Sequence, residues 1–259
     1  MNLLRRQRVV ILAALAAIAA LAWLYLFLAA GDMTAAMAGM DRTMVMPPRG
    51  PIELVLLFAM WWVMMVGMML PGVTPMILTF ATVNRNRRAR GEPYVPSALF
   101  AAGYLLAWGA FSLAATLVQE GLERAALLSP MDMTTDSRLL GGVLFLAAGL
   151  YQFTPVKLAC LRFCRSPLDF VVNHWRDGPA GALRMGITHG LYCLGCCWTL
   201  MLLLFVGGVM NLLWAAVLAI VVLIEKLTAG PWIGRAGGAL LVAYGTWLLA
   251  YGTWLLATY

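Results

Sequence analysis

Along this chain apolar residues do not alternate with polar ones; they run in long blocks divided by short polar connections. A helix needs about 20 such residues to cross the hydrocarbon of a bilayer, and a run of that length is read as a span. Seven blocks meet the description, at about 9–30, 52–83, 97–119, 139–156, 183–205, 210–226 and 232–257. They predict an all-α polytopic membrane helix bundle, with residues 1–259 forming a single integral membrane domain. The first block follows Arg5-Arg6-Gln7-Arg8, the positive flank of a signal peptide, but its core is longer, so a retained span is expected. Pro71 and Pro75 lie late in the second block, and each removes a backbone donor, which predicts a kink or break there.

Composition agrees with that reading. The chain is 63% hydrophobic and 11% charged, whereas a soluble domain carries about 25% charged residues. Its length is taken up by the spans, so any chemistry belongs to the spans or their connections. The net charge of +7 does not point to nucleic acid, because the basic residues sit in small clusters at the block ends, where they act as topology signals. With the N-terminus inside, fourteen Lys and Arg fall on the inner side, and four, Arg42, Arg49, Arg124 and Arg138, fall outside. The expected orientation is N-terminus cytoplasmic and C-terminus periplasmic in a bacterial inner membrane. The last block repeats AYGTWLL and lines one helix face with Gly230, Gly234, Gly238, Gly245 and Gly252. Small residues so spaced let helices approach closely, either inside the bundle or as a homo-oligomer contact.

The candidate chemistry is concentrated in HGLYCLGCC. At 100° per residue, with His189 at zero, Cys193 falls at about 40°, Cys196 at about −20°, Cys197 at about 80° and Met185 at about −40°. One helix face thus carries imidazole, three thiols and a thioether. Thiolate and imidazole at this spacing can converge on a metal ion; cysteines as small buried hydrophobes and thiol–disulfide exchange are the other readings. A second pair, Cys160 and Cys164, is one helical turn apart just past the fourth block, and Gln152 places a polar amide near that block's inner end. Gln152 is either functional or a structural hydrogen-bonding group.

The seventeen methionines bear on which metal. Met33, Met37, Met40 and Met44 would share one face of a helix in the first outer connection, and Met60, Met64 and Met68 form a stripe in the second block, where core packing competes with ligation. Thiolate with thioether selects Cu(I), while Cys and His together also suit Zn(II). The outer methionines favour Cu(I), since thioethers remain ligands in an oxidising compartment. Apart from His189, Cys and Tyr, the blocks carry no ionisable group well inside them, Glu53 and Glu225 being placed at block ends. With no phosphate-binding loop and no nucleophile elbow, a proton-coupled pump, an ATP-driven pump and a membrane hydrolase are all disfavoured.

Four segments carry a resemblance: AMWWVMMVGMMLPGVTPM from Ala59, YQFTPVKLACLRFCRSP from Tyr151, GPAGALRMGITHGLYCLGCCWTLMLLLFVGGVMNLLW from Gly178, and LIEKL from Leu223. Over roughly 50–235 the chain resembles a bacterial family of predicted metal-binding integral membrane proteins, a domain of unknown function. The resemblance implies a multi-span bundle with a metal site at His189, Cys193, Cys196 and Cys197 and a second group at Cys160 and Cys164; Phe163 stands where such proteins often have histidine. The expected function is Cu(I) handling in delivery, uptake or cuproprotein maturation, without catalysis, with the bilayer and a metallochaperone or cuproenzyme as partners. The alternatives are a membrane thiol–disulfide oxidoreductase, paired through Cys193–Cys196 or Cys160–Cys164, and a structural or assembly subunit.

Overall fold

The structure is a computed structural model that describes residues 3–37, 49–91, 94–128, 133–135 and 137–258, with side chains for 5–32, 49–91, 94–128, 133–135 and 137–251. It contains helices α1 (Leu3–Met37), α2 (Pro51–Arg88), α3 (Ser97–Arg124), α4 (Arg138–Tyr151), α5 (Pro155–Arg165), α6 (Pro167–His174), α7 (Gly178–Leu202), α8 (Leu204–Gly207), α9 (Leu212–Leu227) and α10 (Trp232–Thr258). No strand occurs among the described residues.

Among the described residues five helices, α1, α2, α3, the α7–α8 unit and α10, are long and apolar enough to cross a membrane. The bent pair α4–α5 makes a sixth if it is one broken span. Seven is not reached, for two local reasons. The expected fourth span stops at Tyr151: Thr154 caps a new helix by accepting from the Lys157 N–H at 3.3 Å, Pro155 opens it, and α5 departs at 65°. The expected sixth span, α9, has only 16 residues, a rise of about 24 Å.

The second expected span is not broken at its prolines, because α2 runs as one helix through Pro71 and Pro75. Pro71 cannot donate to the Gly67 carbonyl, and Trp23 Nε1 of α1 donates there instead at 3.3 Å. An indole from the neighbouring helix thus takes up the acceptor that the proline left over. Otherwise α1 contributes only a thin buried stripe, Leu15, Ala22 and Leu26, and exposes many apolar side chains such as Val9, Leu21 and Phe27.

Two close helix pairs position everything else. Helices α3 and α7 touch through Gly103, Gly186 and Gly190, and a side chain at Gly186 would collide with the Phe100 carbonyl. Helices α4 and α10 touch through Gly142 and Gly149 on one side and Gly238 and Gly245 on the other; a Cβ at Gly245 would lie 2.7 Å from the Leu146 nitrogen. The glycine face of α10 is therefore filled by α4 at Gly238 and Gly245, the use inside the bundle that the sequence offered for it. Helices α5 and α6 fold back beside α7, so that α7 is enclosed by α3, α4, α5 and α9.

Candidate metal centre

The predicted face of α7 is buried: His189, Cys193, Cys196 and Cys197 are each at most 2% exposed. Its side chains do not form one ready-made set of ligands, because they are engaged by several neighbours. The His189 ring lies among Phe100, Tyr104 and Phe170, with its Nδ1 buried and without a hydrogen-bond partner. Cys193 Sγ lies 3.1 Å from the Tyr104 hydroxyl and 3.0 Å from Lys226 Nζ. Cys196 Sγ lies 4.0 Å from Cys164 Sγ of α5. The thiols of Cys196 and Cys197 both donate to the Cys193 carbonyl at 3.0 Å. Among the described residues no three His, Cys, Asp or Glu side chains form a group ready to hold an ion.

The bend between α4 and α5 is what brings Cys164 to this place. It lays α5 across α7, where the absence of a side chain at Gly195 admits Cys160: a Cβ there would be 2.7 Å from Cys160 Sγ. The Tyr151 hydroxyl donates to the Gly195 carbonyl at 2.5 Å and ties the end of α4 to the same turn of α7. All five cysteines are free. Cys164 and Cys196 approach from different helices, a pairing that the spacing of Cys193–Cys196 or Cys160–Cys164 did not name.

Two residues at this centre went unnoticed in the sequence. Lys226 is 6% exposed, reaches Cys193, and lies 4.0 Å from Met69 Sδ of α2. Tyr104, fully buried, also donates to the Met69 carbonyl at 3.3 Å. Lys226 was visible only as the basic end of an apolar block, and Tyr104 as one aromatic among many. Beside them Lys157 and Glu225 form a buried ion pair at 2.6 Å, and Lys157 Nζ also donates to Gln152 Oε1. Lys157, Glu225 and Lys226 stand at helix ends, as expected of ionisable groups, yet all three are buried, each with a partner on another helix. Two of the fourteen basic residues counted as inner topology signals, Lys157 and Lys226, are accordingly internal.

The methionines divide. Met60, Met64 and Met68 are buried in the bundle, with Met65 and Met69 beside them. Met185 is buried too, but its sulfur accepts the Arg176 N–H at 3.4 Å, away from the thiols. The backbone at Met33 and Met37 belongs to α1 while their side chains lie outside the described residues, as do Met40 and Met44 altogether.

No curated protein and no solved structure matches the chain. A family model does, over residues 58–248, and its description is copper chaperone. The match runs from α2 into α10 and takes in every residue of the sulfur centre. The chain therefore belongs to the PpoB2 family, described as copper chaperones.

Proposed function

We propose that this protein is a membrane-embedded copper chaperone that holds Cu(I) between Cys164 and Cys196, with Cys193 and His189 as further ligands. A copper chaperone is not an enzyme; what it needs is a site that binds its cargo and lets it go. The observation that carries the reading is the 4.0 Å approach of Cys164 and Cys196 across two helices. Two metal–sulfur bonds of about 2.3 Å can bridge that gap around one ion. A pair of sulfurs suits Cu(I) better than Zn(II), which takes four ligands in structural sites. The unpartnered Nδ1 of His189 is a buried acceptor or donor lacking the partner that such groups normally have, and a metal ligand is one way to supply it.

In this mechanism the ion enters from the periplasmic side, where Met33, Met37, Met40 and Met44 collect it, and passes along Met60, Met64 and Met68 of α2. Those three side chains face the bundle and lead toward Met69, which is next to Lys226. Cys160 and Met185 lie at the margin of the centre and belong to hand-over rather than holding. The N-terminus is cytoplasmic, the C-terminus periplasmic, the membrane is the bacterial inner membrane, and a cuproenzyme or second metallochaperone takes the ion.

The test is copper content by mass spectrometry after anaerobic loading with Cu(I) or Zn(II), for the full chain, Cys164→Ser, and the triple Cys193/Cys196/Cys197→Ser. About one copper per chain is expected, lost in the triple variant and strongly reduced in Cys164→Ser. Copper retained undiminished in the triple variant would overturn the site, and zinc retained in preference to copper would overturn the cargo.

A further inference from the structure

A groove of about 850 Å³ opens at the end of the bundle where α1 begins, α2 ends and α3 begins. None of its lining residues is a cysteine, histidine or methionine, and it plays no part in the copper reading. Arg6, Arg85 and Arg88 line it, and among the described residues no carboxylate does. None of the three arginines pairs with an acid among those residues. Arg85 donates to Gln7 Oε1 at 3.2 Å, and the Arg88 guanidinium lies 5.1 Å from the centre of the Tyr94 ring. Both therefore carry full positive charge into the groove, held in place by neutral groups.

Two further features add donors at the same spot. Helix α3 starts at Ser97 without a side-chain cap among the described residues, and while the Leu99 N–H donates to the Pro96 carbonyl at 3.0 Å, the N–H groups of Ser97 and Ala98 at the helix start remain a natural seat for an anion. Ser97 Oγ, which lines the groove, is buried and has no hydrogen-bond partner among the described residues. One wall is apolar: Val10 and Ile11 of α1 stand beside the arginines, and Val10 is 59% exposed on the outer surface of the helix. The combination is amphipathic. A phosphate fits guanidinium groups and open N–H donors, and an alkyl chain fits the adjoining wall. A free phosphate would make no use of that wall.

We propose that this groove binds the headgroup of an anionic phospholipid, its phosphate held by Arg6, Arg85 and Arg88 and by the start of α3, with its acyl chains lying along α1. The volume is in the range of small-molecule sites, about 300–1,000 Å³. Basic pockets between membrane helices are recognised seats for such headgroups. The bound lipid would tie α1, which packs through only a thin stripe, to the ends of α2 and α3.

The test is native mass spectrometry of the full chain released from nanodiscs of mixed phosphatidylglycerol and phosphatidylcholine. The expected result is retained phosphatidylglycerol, with retention roughly fivefold weaker for each of Arg6→Gln, Arg85→Gln and Arg88→Gln. The control triple Arg5/Arg90/Arg184→Gln removes three charges, more than any single groove variant, from exposed positions outside the groove and keeps the lipid. Copper content and circular dichroism show that each variant is folded. Equal loss in the control triple would reduce the binding to general surface charge and overturn the site, as would equal retention of phosphatidylcholine. Displacement by millimolar inorganic phosphate regardless of acyl chain length would assign the groove to a soluble anion and overturn the lipid. Glu92→Gln removes the one acid between residues 85 and 98 and leaves retention equal or stronger; a loss there would make the acid, not the arginines, the recognition element.

Discussion

Glu225 and Lys226 are consecutive on the last turn of α9, yet they face opposite chemistry. Glu225 meets Lys157 at 2.6 Å, with Gln152 sharing the ammonium and Arg165 Nε donating to the Glu225 backbone carbonyl at 2.9 Å. Lys226 meets sulfur: Cys193 at 3.0 Å and Met69 at 4.0 Å, with no carboxylate among the described residues. The first arrangement matches a positive with a negative charge and has nothing left to exchange. In the second, the partner of the cation is a group that can instead ligate a soft metal. Charges are costly in a membrane interior unless compensated, so the two sites teach that burial alone does not mark function. What separates them is whether the compensating partner has a second use.

Breaking the closed pair should have the largest effect. Lys157→Met leaves the Glu225 carboxylate buried and unmatched and should cost about 3–5 kcal/mol, read as a large drop in the thermal midpoint in detergent. The double variant Lys157→Met/Glu225→Leu should recover most of it, since the unmatched charge is gone. If the double is as unstable as the single, the pair is not the self-contained unit described above.

Lys226→Met should behave differently. The replacement is apolar and similar in length, so the thermal midpoint should move little. Copper retention against a chromophoric Cu(I) chelator should fall about tenfold, the scale of one charged hydrogen bond, because an ion held by two thiolates carries a net negative charge that Lys226 balances. A loss of stability without a change in copper would place Lys226 in the same class as Lys157 and dissolve the contrast.

The smallest effect is expected at Gly195→Ala. Its Cβ would stand 2.7 Å from Cys160 Sγ and should cost about 1–3 kcal/mol by overpacking. By pushing α5 off α7 it should also lengthen the Cys164–Cys196 gap and lower copper retention modestly. Unchanged retention would show that the Cys160 contact does not set the position of Cys164.

Much of this was legible in the chain, and the residues show where legibility ended. The face of α7 carrying His189, Cys193, Cys196 and Cys197 follows from helical period alone, and all four are buried as that period requires. The glycines of α10 were readable as a close-packing face, but their partners Gly142 and Gly149 on α4 were not. The break at Thr154-Pro155 was written in local capping chemistry, and hydropathy hid it by running the apolar block through to residue 156. Pro71 shows the reverse case: a local signal for a break is overruled because Trp23, from a different helix, supplies the donor.

The amino-acid sequence by itself determined the class of the molecule, the helices, and the sulfur-bearing face, because hydropathy and period act over one or a few turns. Only the tertiary structure decided which sulfur meets which neighbour. Cys164 and Cys196 are 32 positions apart, Cys193 and Lys226 are 33, and Lys157 and Glu225 are 68. Contacts over such separations depend on the bend of α5 and the glycine-lined packing of α7, and no local pattern records them.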